Sequence, residues 1–112
     1  MSTSNEFLDY CVEMLESLGD INVSRMFGGA LLKVGGRQLG VVIDDTLFFK
    51  VIDPELQQRY KQSGSHQFSY TRKDKKAPIV IKNWWSVPED TLDSSERLVE
   101  LAEEVLAQQV AE

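Results

Sequence analysis

The chain has very little of the chemistry that marks an enzyme by sequence: one histidine and one cysteine in 112 residues. A single cysteine excludes an internal disulfide, and without Cys or His partners no zinc-type ligand set can be assembled. Long apolar runs are missing too, so no segment reads as a membrane span, and there is neither a signal-peptide pattern nor a low-complexity tract. These absences predict a soluble, intracellular protein in a reducing compartment, with no membrane partner. What remains is ordinary globular composition, 42% apolar and 27% charged. The length suits one core and one domain, residues 1–112.

Periodicity supplies the elements. Phe7, Cys11, Met14, Leu15 and Leu18 recur at the spacing of an amphipathic helix, with Thr3 and Glu6 as its capping box and Gly19 as its stop. From Gly29 to Val51 the period changes to two, with turns at Gly35-Gly36 and Asp44-Asp45, which predicts a three-stranded meander. Asp53 as N-cap, Pro54 at the first helical position and Gly64 past the end frame a second helix. Strands over residues 67–72 and 79–85 follow, joined by the polar run Lys73-Asp74-Lys75-Lys76. In the last segment Leu98, Leu101, Ala102, Val105 and Leu106 share a helical face, with Asp93 and Glu96 at its start. The order α-β-β-β-α-β-β-α predicts an α+β two-layer sandwich: a five-stranded antiparallel sheet with helices packed on it.

Charge is unevenly distributed along this order. The net charge is −6, yet residues 21–85 hold eleven Lys and Arg against five Asp and Glu. Residues 1–20 carry five acids and no base, and residues 86–112 eight acids and one base. Terminal helices packed on one face would therefore make an acidic side, opposite a basic sheet. Two readings of that sheet stay open. Lys33, Arg37, Lys50 and Lys82 are the polar residues that any half-solvated antiparallel sheet needs. Alternatively they bind an anionic partner, with Arg72, Lys73, Lys75 and Lys76 as the densest part. Nucleic acid is the less favoured anion, because useful affinity takes roughly six to ten phosphate contacts and an acidic protein repels DNA at long range.

Aromatic residues mark a second surface. Trp84 and Trp85 are adjacent in a predicted strand and must point to opposite faces, as must Phe48 and Phe49. Only one of each pair enters the helix-covered core, which leaves a Phe, a Trp and Val42 for the other face. Such a patch marks an interface with a protein partner, and homodimerisation through the sheet is its simplest use; the competing reading is that loops or the second helix cover it.

Catalytic signals are poor. His66 lies in the polar Ser63-Gly64-Ser65-His66 loop without triad partners. Asp44-Asp45 is explained by turn preference. Cys11 falls on an apolar helical stripe and reads as an inert buried thiol. Gly28-Gly29 opens a strand rather than a helix, so it is not a phosphate loop; its glycines serve positive φ or close backbone packing against a helix.

Four stretches together, Val23-Ser24-Arg25-Met26-Phe27-Gly28-Gly29, Asp44-Asp45-Thr46-Leu47-Phe48-Phe49-Lys50-Val51, Phe68-Ser69-Tyr70-Thr71-Arg72 and Trp84-Trp85-Ser86-Val87-Pro88, resemble the N-terminal domain of the TfoX/Sxy family of bacterial competence regulators. The resemblance covers about residues 5–108. It implies the family's secretion-chaperone-like α+β fold, a cytoplasmic bacterial protein without a cofactor, and a regulatory role without catalysis. It carries over Arg25, Met26, Phe27, Gly28, Gly29, Trp84 and Trp85 as signature positions rather than catalytic ones. Family members often have two tyrosines where this chain has Trp84-Trp85, and competence regulators add a C-terminal domain beyond the region that Glu112 closes here. The expectation is a non-enzymatic regulatory or interaction module acting through protein contacts, with a nucleic-acid-binding transcriptional regulator using the basic hairpin and sheet face as the alternative.

Overall fold

The computed structural model describes residues 5–26, 28–71 and 77–109. Three helices, α1 (Asn5–Met14), α2 (Pro54–Gln62) and α3 (Ser95–Ala107), accompany six strands. The strands are β1 (Ile21–Met26), β2 (Gly29–Val34), β3 (Arg37–Ile43), β4 (Thr46–Lys50), β5 (Gln67–Tyr70) and β6 (Ile79–Ser86). They form one antiparallel sheet in the order β1-β2-β3-β4-β6-β5. The α+β sandwich stands, with one strand more than the five expected. The extra strand is β1, where Ile21, Val23 and Arg25 alternate with Asn22, Ser24 and Met26.

Tight turns set the register of the meander. Gly35 and Gly36 both have positive φ (58° and 81°), and so do Asp44 (53°) and Asp45 (54°). Two such residues in succession are what a two-residue hairpin loop requires if its twist is to match the strands. They place Val34 opposite Arg37 and Ile43 opposite Thr46. Gly40 serves a different purpose: a Cβ there would lie 2.0 Å from the Phe48 carbonyl oxygen, so only glycine lets β3 approach β4. Gly29 is packed in the same way, a Cβ there falling 2.3 Å from the Val42 carbonyl oxygen. Its close neighbour is thus a strand and not the expected helix.

The helices cover one face. Leu8, Cys11 and Leu15 from the first helical segment, Leu56 and Tyr60 from α2, and Leu98, Ala102 and Val105 from α3 bury against Ala30, Leu32, Leu39, Val42, Leu47, Phe49 and Trp85. Val42 therefore belongs to the covered side, a correction to the expected open-face position. It stands opposite Ala30 and Leu47, both in that core, while Val41 and Ile43 point the other way into a smaller cluster with Phe48.

Capping follows the sequence in α2, where Asp53 Oδ2 accepts the Leu56 N–H at 3.1 Å and Pro54 begins the helix. In α3 the cap is Ser94, whose Oγ accepts the Arg97 N–H at 3.4 Å, in place of the expected Asp93. Asp93 instead ends a short 3₁₀ turn, Glu89–Asp93. Thr3, the expected cap of α1, lies outside the described residues. Two contacts tie α1 to the 3₁₀ turn and the start of α3: the Tyr10 hydroxyl donates to the Leu92 carbonyl, and Ser95 Oγ donates to the Met14 carbonyl at 2.7 Å. Among the described residues no helix is long and apolar enough to cross a membrane.

Candidate functional site

Neighbouring residues in β4 and β6 divide between the faces as alternation requires. Phe49 and Trp85 stand opposite each other in the helix-covered core. Phe48 and Trp84 belong to the other side, with Val41, Ile43 and Phe68. A large bulge closes part of that side: Gln67 is opposite Trp85 but Phe68 is opposite Ile81, so Lys82, Asn83 and Trp84 have no counterparts in β5. The extra length bends β6 and strengthens its local twist. Phe68 thereby meets Phe48 edge-on with centroids 5.3 Å apart, and Tyr70 stacks on Phe68 at 6.0 Å. Phe48, Val41 and Ile43 are buried, so the open-face aromatics are partly enclosed by the chain itself.

His66 joins this cluster. Its ring meets Phe48 edge-on at 5.9 Å, its Nδ1 lies 3.3 Å from Ser86 Oγ, and its backbone N–H donates to the same oxygen at 3.0 Å. Ser86 is buried, so the hydroxyl serves the β6–His66 junction instead of facing a cleft. Cys11 is fully buried, and burial pushes its thiol up to about 12, which keeps it protonated and unreactive at neutral pH.

Three of the four predicted sheet cations converge. Lys33, Arg37 and Lys50 line a shallow concavity with Gln38, Ile52 and Gln109 at the end of the sheet. Lys50 Nζ donates to Gln38 Oε1 at 3.0 Å, and Gln109 Nε2 donates to the Gln38 carbonyl at 2.7 Å. Lys82 is exposed in the β6 bulge, outside this group. Arg72, Lys73, Lys75 and Lys76, the expected anion-binding run, lie outside the described residues, as does Phe27.

Of the signature residues, Arg25, Met26, Gly28 and Gly29 lie at the β1–β2 edge of the sheet, whereas Trp84 and Trp85 are in β6. Arg25 and Met26 are the last two residues of β1, Gly28 occupies the turn with φ of 77°, and Gly29 opens β2. Arg25 Nη2 donates to Asn5 Oδ1 at 2.5 Å, tying the strand to the first residue of α1. Beside this contact runs a groove between α1 and β1. Leu8, Val12 and Val23 form its apolar floor, and Asp9, Glu13 and Glu16 its rim. Sequence reasoning did not single out this groove, although the alternation of Ile21, Val23 and Arg25 and the lack of any base in α1 were both visible.

The family model for the TfoX N-terminal domain matches residues 13–109. Comparison with curated proteins gives no match.

Proposed function

The chain belongs to the TfoX N-terminal domain family, and from that membership we propose a non-enzymatic cytoplasmic regulatory module of the competence-regulator type that works through protein–protein contacts. The observation that carries this reading is the charge of the helical layer. Along α1, Glu6, Asp9 and Glu13 face no base in their own helix. Across α3 the ion pairs are exposed ones, Arg59–Glu104 at 2.7 Å and Arg97–Asp90 at 3.1 Å, and exposed pairs hold little energy. A largely unneutralised acidic layer repels nucleic acid and steers basic protein surfaces.

Titration of a fluorescent DNA duplex at low and near-physiological salt, followed by anisotropy, tests this directly. The expected result is no saturable binding, together with a binary complex between the pure chain and a partner first found by affinity capture. Saturable, salt-sensitive DNA binding would replace this reading with a nucleic-acid-binding regulator, and its loss in Lys33→Glu with Lys50→Glu would place the contact at the sheet concavity.

A further inference from the structure

β1 is a sheet edge with few of the usual protections. It pairs with β2 in unbroken register, from Ile21 opposite Val34 to Met26 opposite Gly29. Among the described residues no strand pairs with its other side. Alternate residues along such an edge turn their N–H and C=O outward, a template for another strand. Natural edges are blunted by brevity, bulges, proline or inward-pointing charge. The other edge, β5, is four residues long and interrupted by the bulge. By contrast β1 has six residues, no proline, no lysine and no bulge, and its one charge, Arg25, is engaged with Asn5.

The surface beside this edge says what kind of strand would fit. Val23 stands opposite Leu32 of the helix-side core, so it points toward the helical layer. It is 39% exposed on the floor of the groove shared with Leu8 and Val12. A strand added to β1 would send alternate side chains toward the same side. An apolar one would lie over Val23, and flanking basic ones would reach Asp9, Glu13 and Glu16 on the rim.

We infer that the β1 edge and the α1 groove receive an extended segment of a partner protein, in which basic and apolar residues occupy the side facing α1. This rests on the protein-contact reading above and names the docking edge and the chemistry of its occupant. A second copy fits less well, because two-fold pairing of β1 with itself would bring two acidic α1 helices side by side. The mode is β-strand addition, in which main-chain hydrogen bonds supply affinity and the groove supplies selectivity.

The probe is a fluorescent eight-residue peptide alternating Lys and Val, compared with the same peptide N-methylated at alternate amides and with a Glu-Val version. Anisotropy should show binding of the Lys-Val peptide, at least tenfold weaker binding of the N-methylated form, and none of the Glu-Val form. Hydrogen exchange of the residue 21–26 amides should slow in the complex. Val23→Lys, which places a guard charge on the edge at an exposed position, and Asp9→Lys with Glu13→Lys should each weaken binding at least tenfold. Glu100→Lys with Glu103→Lys, on exposed α3 positions, should change it less than twofold.

Equal weakening by the α3 pair, or indifference to N-methylation, would reduce the binding to general electrostatics and overturn the inference. Dimerisation in sedimentation that Val23→Lys abolishes would overturn it in favour of self-pairing. A captured partner that binds Val23→Lys as well as wild type would overturn the edge assignment and leave the protein-contact reading standing. DNA binding in the preceding titration would remove that reading itself.

Discussion

Phe48 and Phe49 are neighbours in the chain, as are Trp84 and Trp85, yet each pair is split between two environments. Phe49 is 0% and Trp85 8% exposed beneath three helices, among buried residues contributed by every element of that layer. Phe48 is 4% exposed, but the rings that enclose it, Phe68 and Trp84, are themselves only partly buried. One face is closed by helices that bring their own apolar stripes. The other is closed only by side chains of the sheet itself, Phe68 and Trp84, beside the β5–β6 bulge. A residue can therefore be nearly as buried on the second face while its surroundings are much freer to relax, and the cost of emptying a site depends on that freedom.

The largest effect should come from truncating each phenylalanine. Phe49→Ala should cost about 4 kcal/mol, because helices and sheet hold the cavity open on both sides, and Phe48→Ala about 3 kcal/mol, because Phe68 and Trp84 can close over the space. Urea unfolding at constant m-value measures both. Equal losses would show Phe68 and Trp84 to be as rigid a cover as the helices.

Alkaline pH should act through the covered face. Burial raises both the Cys11 thiol, to about 12 from 9.0, and the Tyr60 phenol above its usual value. A folded-state pKa raised above the unfolded one means that the native state holds its proton longer. Stability is therefore fully present below about pH 9 and is lost as pH rises from there toward 12. At about 1.4 kcal/mol for each pH unit above the unfolded-state value, the thiol alone removes about 3 kcal/mol by pH 11. Unfolding free energies between pH 8 and 11 check this, with Cys11→Ala as the comparison. The variant should lose the decline that begins near pH 9 and keep the one that Tyr60 adds above about pH 10. An unchanged profile in Cys11→Ala would assign the effect to other groups.

The same division into two faces explains which parts of the molecule were legible in the sequence. Adjacent aromatics announced their own separation, since alternation leaves no other arrangement, and the paired glycines and aspartates announced their hairpins. Val41-Val42-Ile43 did not reveal its parity, because a run of β-branched residues looks the same in either register; only the pairing of Val42 with Ala30 and Leu47 decides it. β1 was missed because polar Asn22 and Ser24 and charged Arg25 leave only Ile21 and Val23 as an apolar alternation, weak beside the glycine signature that follows. The α1 groove needed a fact no local pattern contains, namely that β1 ends the sheet next to α1. Convergence of Lys33, Arg37 and Lys50 likewise depends on three strand ends meeting at one pole. The Ser86–His66 contact spans twenty residues and had no sequence signal.

A conservative pair of substitutions gives the smallest and sharpest comparison of the faces. Tyr60, on the covered side, is 2% exposed, and its hydroxyl is buried with no hydrogen-bond partner among the described residues. An unpartnered buried hydroxyl costs free energy that its removal restores, whereas the ring contacts are retained in phenylalanine. Tyr60→Phe should therefore stabilise the protein by about 1 kcal/mol, raising Tm by about 4 °C. On the open face Tyr70 is half-buried and stacks on Phe68, so Tyr70→Phe keeps the stacking and should stay within about 0.5 kcal/mol of wild type. Thermal melts of the two variants decide the matter. A loss of stability in Tyr60→Phe would mean that a buried water satisfies the hydroxyl and that the helix-covered core is wetter than its apolar lining suggests.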